Sequence, residues 1–569
     1  MKQMDLERKG TKADELAGCD IIGIDLGTTN SAVSVFSADT VPTILPIGKG
    51  GKRTVPSCVR WNEDGTYTVG EDAYNERFKQ NVIYSVKRIM GSGKTVTLHH
   101  DSGSIELTPA QVSAEILRHI KDRVAEFYRP VEKCVITVPA YFDQRQMNDT
   151  IEAAKLAGLD CIQILKEPTS ASFIYSLLGY AQSGAVLIYD LGGGTFDATH
   201  MTFLRRDSVP KKMATSLRRQ YGIELDKNGG DITDQYYSRV IGTWGDMQLG
   251  GDDIDKLFGD KAAEKAKVDL TAEEKELLYL RCEEFKKNDA SAMDVNVNGK
   301  TIHLDEDTLN ECVDAIYQRT LEIIKEVDMA TVSTIVLVGG STQSKRLQTN
   351  LQQTFPDKEI SVVLDPDATV ALGAGAVAKA LSNKKSLDYS DVLPLPIGVL
   401  VNEKQVEVCL KKNTSMPYSA SRTYYTVHDN QERVTVHVYQ GLSVKPENCT
   451  YLGRVTVEGV PPKPAGDVAV RLTFVLTSEG RLKVISRVDG VDAEQELIVD
   501  NIFTSNTAEQ AQQKTRDFDP QDDFETMVID TIDDDNSDIL NLLKQRRTVL
   551  QSGEDASNLE TEIFSKVYG

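Results

Sequence analysis

Hydrophobic residues follow two different rhythms along this chain. From residue 20 to about 384, short apolar runs alternate with segments whose apolar positions recur at helical spacing. Ile21-Ile22-Gly23-Ile24, Val135-Ile136-Thr137-Val138, Ala185-Val186-Leu187-Ile188-Tyr189 and Ile335-Val336-Leu337-Val338 have the length and branching of buried strands, whereas Ala110–Tyr128 and Leu309–Val327 carry a helical period. Strands alternating with helices predict an α/β domain. After a polar connector, Lys384–Val392, the period falls to two in Arg433–Tyr439, Val468–Leu476 and Leu482–Val488, with Gly and Asn/Asp turns between them. That pattern predicts an all-β sandwich. A third texture closes the chain. Asp517 to Asp538 holds ten acids and no Lys or Arg, Pro520 interrupts it, and Ser537–Gln551 reads as one capped amphipathic helix. The acidic run reads either as a solvated tail or as a functional arm.

Composition bounds the partners. A chain of 569 residues exceeds what one core sustains, so several domains are expected. A net charge of −22 argues against nucleic-acid binding. Residues 1–20 lack an apolar signal core and no run reaches the roughly 18 apolar residues of a membrane span, so no membrane association is expected. Eight scattered cysteines without a C-x-x-C pair read as reduced thiols of a cytoplasmic protein.

Two glycine turns carry the candidate chemistry. Ile24-Asp25-Leu26-Gly27-Thr28-Thr29-Asn30 and Tyr189-Asp190-Leu191-Gly192-Gly193-Gly194-Thr195-Phe196-Asp197 each follow an apolar strand, end it in Asp and turn through Gly and Thr. Glycine lets backbone N–H groups approach an anion, threonine adds hydroxyl donors, and Asp orients water around a metal. Two matching copies suggest a duplicated fold that grips one nucleotide between its halves. Gly91-Ser92-Gly93-Lys94-Thr95 is not a phosphate loop, because Arg88 stands where the first glycine is needed and no strand feeds it.

These turns belong to a longer series: IDLGTTNS, VKRIMG, ITVPAYF, KEPTSAS, DLGGGTFD, LGGDDID, VLVGGST, DPDATVALGAGAV and HDNQERVTVHVYQG. In this order, over roughly residues 20–505, the chain resembles the Hsp70 chaperone family. The resemblance implies an α/β actin-like ATPase domain of two pseudo-duplicated lobes, an all-β sandwich that binds peptides, and a short helical C-terminal segment. The implied boundaries are an extension at 1–19, the ATPase domain at 20–384 with a basic insertion near 205–238, a linker at 385–392, the sandwich at 393–505, and a truncated lid or tail at 506–569. The expected function is that of a cytoplasmic stress-response chaperone with ATP-gated peptide affinity, using ATP/ADP and Mg²⁺, with K⁺ as an optional companion ion. Extended peptides, a J-domain co-chaperone and a nucleotide-exchange factor are the implied partners.

The resemblance also assigns roles. Lys87, Glu167, Asp190 and Asp197 are the implied catalytic set. Asp25 and Asp190 would hold Mg²⁺, mainly through water. Gly27, Thr28, Thr29, Asn30, Gly192, Gly193, Gly194, Thr195, Gly250 and Gly251 would surround the phosphates, Gly229-Gly230 being a decoy for the second diglycine. Glu283, Lys286, Lys287, Gly339, Gly340, Ser341, Gln343 and Asp367 would surround the nucleoside. Val399, Val401, Asn402, Tyr424, Val427, Val434 and Val436 fall on peptide-groove positions, and plain sandwich core remains open for the valines.

The chain also departs from the family. Lys287 and Gln343 stand where two arginines usually flank adenine, and neither offers a planar guanidinium, so altered nucleotide affinity is expected. Met147 occupies the slot of the arginine that follows the switch proline, Pro139, with Arg145 two residues earlier on another helical face. Leu387-Asp388-Tyr389-Ser390 replaces a leucine-rich linker. An alternative therefore stays open: a nucleotide-binding, client-specific regulator of the same fold with weak turnover or weak coupling. A sugar-kinase-like phosphotransferase is disfavoured by the sandwich and by the lack of a sugar-site signature.

Overall fold

The computed structural model describes residues 19–35, 42–100, 103–177, 184–205, 236–288, 290–362, 366–382, 389–401, 404–416, 418–476, 482–491, 495–499 and 545. Several sequence expectations lie outside these residues: most of the 1–19 extension and of the 205–238 insertion, residues 385–388 of the linker, Asn402, and all but one residue of the tail with its acidic run and helix. The chain divides into two compact units, 1–203 with 238–385, and 204–237 with 386–569.

The first unit is α/β and is built on two mixed sheets. In one, the order is Asp160–Lys166, Lys133–Val138, Ile21–Asp25, Asn30–Val35 and Thr43–Ile44. The first three strands run parallel, and Ile21–Asp25 turns back on Asn30–Val35 as an antiparallel hairpin. The other sheet repeats that plan: Glu359–Ser361, Val332–Val338 and Gly184–Leu191 run parallel, and Gly184–Leu191 turns back on Phe196–Arg205. Here the strand does not end at its aspartate. Pairing continues through Leu191 opposite Phe196, so Asp190 and Asp197 sit directly across the hairpin.

The helices begin where their caps dictate. Thr108 caps Pro109–Phe127 in a capping box with Gln111. Asp305 accepts from the Thr308 N–H and starts another long helix at Glu306, so it runs Glu306–Ile324, three residues ahead of the periodic pattern's apparent start. Helix Thr369–Ser382 lies against the first hairpin at backbone distance. A Cβ on Gly23 would meet Gly375 N at 2.2 Å, and one on Gly375 would meet Ser34 Oγ at 2.2 Å. This close approach is the physical content of the small-residue run Ala371-Leu372-Gly373-Ala374-Gly375.

The second unit is a β-sandwich. One antiparallel sheet has the order Gln405–Leu410, Ile397–Val401, Arg433–Gln440, Thr450–Glu458, and the other Tyr418–Tyr425, Ala469–Leu476, Leu482–Val488, Gln495–Val499. Side chains of Ala469–Leu476 alternate strictly between half-buried and buried, and Val438, Leu472, Phe474 and Val484 from both sheets share one apolar core. Among the described residues no helix is long and apolar enough to cross a membrane.

Candidate functional site

The candidate site lies in the first unit, where the strand ends and turns of both sheets line a cleft of about 920 Å³. The two glycine turns touch across it. A Cβ on Gly193 would meet Thr29 Oγ1 at 1.7 Å, and one on Gly194 would meet the Thr28 methyl at 2.2 Å. A third turn locks in behind them. Gly251 N donates to Gly192 O at 3.0 Å and Asp252 N to Gly193 O at 2.7 Å, while a Cβ on Gly250 would meet Gly193 O at 2.4 Å. Ser341 Oγ donates to Gly192 O at 2.9 Å from the fourth side. Arg88 Nε donates to Gly194 O at 2.8 Å and its guanidinium pairs with Asp253 at 2.6 Å. Glycines here permit backbone-to-backbone contact that any side chain would wedge apart.

Lys87 stands on the cleft floor. It sits on a single turn, Val86–Ile89, entered through Ser85 in a left-handed conformation (φ 53°). Its Nζ donates to Leu26 O at 2.6 Å and pairs with Glu167 Oε1 at 2.7 Å, both side chains being at most a tenth exposed. Glu167 follows directly on strand Asp160–Lys166 and opens the helix Glu167–Leu177. Asp25 accepts from Thr137 Oγ1 at 2.9 Å on the neighbouring strand, and Asp197 Oδ1 accepts from Tyr141 N at 3.2 Å.

The Lys87 ammonium thus faces four carboxylates, and Lys166 adds its charge only beside Asp197 among the three shifted ones. Burial, then Glu167, push Asp25 up to about 7. The same two causes push Asp197 up to about 8. Asp190 is driven well above the carboxylate range by burial, then by Glu167, Asp197 and Asp25. Asp197 Oδ2 is buried without a hydrogen-bond partner. Hard oxygen donors in negative excess suit a divalent cation such as Mg²⁺. Mg²⁺ gives up its waters reluctantly and is commonly bound through only one or two carboxylates, and among the described residues no group of three or more His, Cys, Asp or Glu side chains is placed to hold a metal ion. The residues fit Mg²⁺ on those terms.

At the far end of the cleft Glu283 is held by three donors: Tyr74 OH at 2.6 Å, Arg77 Nη2 at 2.7 Å and Lys287 Nζ at 2.6 Å. Lys286 Nζ pairs with Asp255 at 2.8 Å and donates to Gly251 O at 3.1 Å. Gln343 Nε2 donates to Asp367 Oδ2 at 3.1 Å.

Most of the residues singled out for nucleotide and metal line this one cleft: Asp25, Gly27, Thr28, Thr29, Asn30, Lys87, Glu167, Asp190, Gly192, Gly193, Thr195, Gly251, Glu283, Lys286, Lys287, Gly339, Gly340, Ser341, Gln343 and Asp367. Asp197, only 1% exposed, is not among them, although it lies close enough to Glu167 and Lys87 to feel their charges. Gly194 and Gly250 serve as contact points between turns. Residues 91–95 leave the Val86–Ile89 turn and run straight into strand Val96–His100. Met147 packs beside Met90, Val138 and Phe142.

Sequence reasoning missed Thr137, Arg88, Asp252 and Asp253, although all four lie inside quoted motifs, and it missed Tyr74 and Arg77, which lie in none. In the sandwich unit, Val399 and Val436 are buried in the core, Val401, Tyr424 and Val434 pack against it, and Val427 is 61% exposed.

An α/β unit with this cleft, followed in the chain by a β-sandwich, defines the class, and comparison with known proteins names it. The family model described as Hsp70 protein matches residues 21–565. Chaperone protein DnaK of Methanothermobacter thermautotrophicus is 32% identical over 510 residues, covering 84% of this chain and 80% of that protein. Chaperone protein HscA homologs of Acinetobacter baumannii (31% over 507 residues, 83% of this chain and 76% of the relative) and Chromobacterium violaceum (31% over 519 residues, 84% and 78%) are similar to it as well. The chain belongs to the Hsp70 family.

Proposed function

We propose that this protein is an ATP-hydrolysing chaperone that binds extended apolar peptide segments and uses the nucleotide state to gate its grip on them. The observation that carries the reading is the buried Lys87 ammonium, fixed by Leu26 O and Glu167 among carboxylates at the phosphate end of the cleft. Beside it Asp25, Asp190 and Asp197 are all raised above the carboxylate range, first by burial, and such perturbed groups gathered at a cleft mark a functional-site candidate.

Thr28, Thr29, Gly193 and Thr195 cradle the phosphates with backbone and hydroxyl donors. Lys87 stabilises charge on the γ-phosphoryl group as it departs, and Glu167 and Asp197 orient the attacking water. Water adds to the γ-phosphorus, the bond to the bridging β–γ oxygen breaks, and ADP and phosphate leave without a covalent intermediate. Asp25 and Asp190 would hold Mg²⁺ through water, and the ion when bound neutralises phosphate charge. Residues 20–384 act as the ATPase domain, its two matching hairpin sheets an actin-like duplication, and 393–505 as the peptide domain. There Val399, Val401, Asn402, Tyr424, Val427, Val434 and Val436 are the candidate groove, holding an extended peptide by main-chain hydrogen bonds and an apolar pocket. A J-domain protein and an exchange factor are the proposed regulators, and a cytoplasmic setting the proposed location.

Single-turnover hydrolysis of ATP, with and without an apolar peptide, tests the reading. Peptide stimulation that vanishes in Lys87→Ala supports it. Tight nucleotide binding with no turnover in the wild type overturns it in favour of a regulatory role.

A further inference from the structure

Two cysteines outside the cleft meet across parallel strands. Lys133–Val138 and Asp160–Lys166 pair in register at Cys134 and Cys161, and the register slips immediately afterwards so that Val135 meets Gln163. Neighbouring strands run roughly 4.8 Å apart, inside the roughly 4.4–6.8 Å between Cα atoms that a disulfide spans. Both side chains belong to the same apolar layer, Cys134 within the core and Cys161 packed against it. Cys134 Sγ also reaches Asp160 O at 3.8 Å, and Cys161 Sγ reaches Gln163 O at 3.5 Å. Asp160–Lys166 is the edge strand of its sheet, and Cys161 is only partly buried whereas Cys134 is buried. All eight cysteines are free thiols.

We propose that Cys134 and Cys161 form a hydroperoxide-sensitive dithiol that closes into a disulfide across the first sheet. The more accessible Cys161 sulfur attacks a peroxide oxygen. The O–O bond breaks, one water leaves, and Cys161 carries a sulfenic acid. The Cys134 sulfur then displaces the hydroxyl from Cys161, forming the S–S bond, and the second water carries away the remaining proton. Two thiols are oxidised and one hydrogen peroxide is reduced to two waters. The order follows from the site. Cys161 is only partly buried and meets peroxide first, whereas Cys134 is buried beside it and meets only the sulfenic acid that forms there; the neighbouring Cys161 thiol, then burial, push the Cys134 thiol well above the usual range, so it is not the first nucleophile. The bond pins the strand register at the slip. Farther along, the same strands carry Thr137, which holds Asp25, and lead to Glu167.

The test exposes the full-length protein to hydrogen peroxide, then denatures it, alkylates it and maps its peptides, counting thiols in parallel. The protein is expected to lose two of its eight thiols, to yield one peptide pair linked through Cys134 and Cys161, and to regain both thiols with dithiothreitol. The melting temperature is expected to rise on oxidation and to fall back on reduction. Cys161→Ser, a conservative change on an edge strand, should lose no thiols, whereas a Cys282→Ser/Cys312→Ser variant should still lose two. Retention of all eight thiols, a link between other cysteines, or over-oxidation of Cys161 without a link overturns the proposal.

Discussion

Arg77 Nη2 donates to Glu283 Oε2 at 2.7 Å, tying the segment after helix Glu71–Tyr74 to helix Ala272–Lys287 at the rim of the cleft, with both side chains under a tenth exposed. The guanidinium also lies over the Tyr74 ring at 4.2 Å. Removing Arg77 takes one of three donors from a buried carboxylate and leaves it to Tyr74 OH and Lys287 Nζ. Arg77→Met is therefore expected to destabilise the first unit by roughly 1–3 kcal/mol, read from urea unfolding. It should also speed nucleotide release in stopped-flow displacement, because the rim loses a tie across the cleft. An unchanged release rate in a folded variant would remove the tie from the account of nucleotide retention.

The same pair sets an acid limb of stability. Burial pushes the Glu283 carboxyl up, but Lys287 and Arg77 outweigh it and hold the group down to about 2. In the unfolded chain it titrates near 4.3. Between these values the unfolded state binds the extra proton, so this contribution is fully present above about 4.3 and drains away as pH falls toward 2. Glu283→Gln should flatten the stability profile in that window relative to wild type.

The cleft carboxylates work in the opposite direction. Asp25 and Asp197 are raised to about 7 and about 8, so the folded state keeps protons that the unfolded state has already released. Without divalent cation and nucleotide, stability is expected to fall as pH rises from the ordinary carboxylate range toward 8, by up to roughly 1.4 kcal/mol per pH unit for each such group. Asp197→Asn should flatten that slope. Mg²⁺ with nucleotide should offset it in the wild type, because a cation stabilises the ionised form.

The parts of this protein legible in its sequence are those where chemistry and backbone geometry coincide. The Asp-Gly-Thr turns announced themselves because close backbone approach admits only glycine, and the hairpins that carry them form the centres of both sheets. The start of helix Glu306–Ile324 was legible only through its cap, Asp305, since the hydrophobic period says nothing about where the first turn begins. Arg77 and Tyr74 were invisible because their role depends on Glu283, some two hundred residues away, and no local pattern marks a long-range ion pair. Sequence period could not decide between groove and core for the sandwich valines, since an inward-facing strand position serves either.

Gly250 offers a substitution that acts on the cleft without touching a catalytic group. A Cβ there would meet Gly193 O at 2.4 Å and Gly193 C at 2.6 Å. The neighbour is backbone, so the second and third turns must separate. Gly250→Ala should fold, with a cost of roughly 1–3 kcal/mol for overpacking, and should bind nucleotide at least tenfold more weakly by calorimetry. Wild-type affinity would mean that the turns need not touch for phosphate to bind.

The sandwich invites a paired experiment, because its candidate groove residues differ in what they touch. Val436 is 8% exposed and belongs to the core with Val399, whereas Val427 is 61% exposed in the turn after strand Tyr418–Tyr425. Val436→Phe inserts a ring into a filled layer and should cost roughly 1–3 kcal/mol, so weaker peptide binding by that variant alone is ambiguous. Val427→Asp should leave stability within about 0.5 kcal/mol while placing an unpaired charge where an apolar peptide side chain would lie. Fluorescence anisotropy of a labelled apolar peptide separates the outcomes. If Val427→Asp loses binding at unchanged melting temperature and unchanged basal hydrolysis, the exposed rim grips the peptide. If only Val436→Phe loses binding, in step with its stability, the valines are sandwich core and the peptide sits elsewhere.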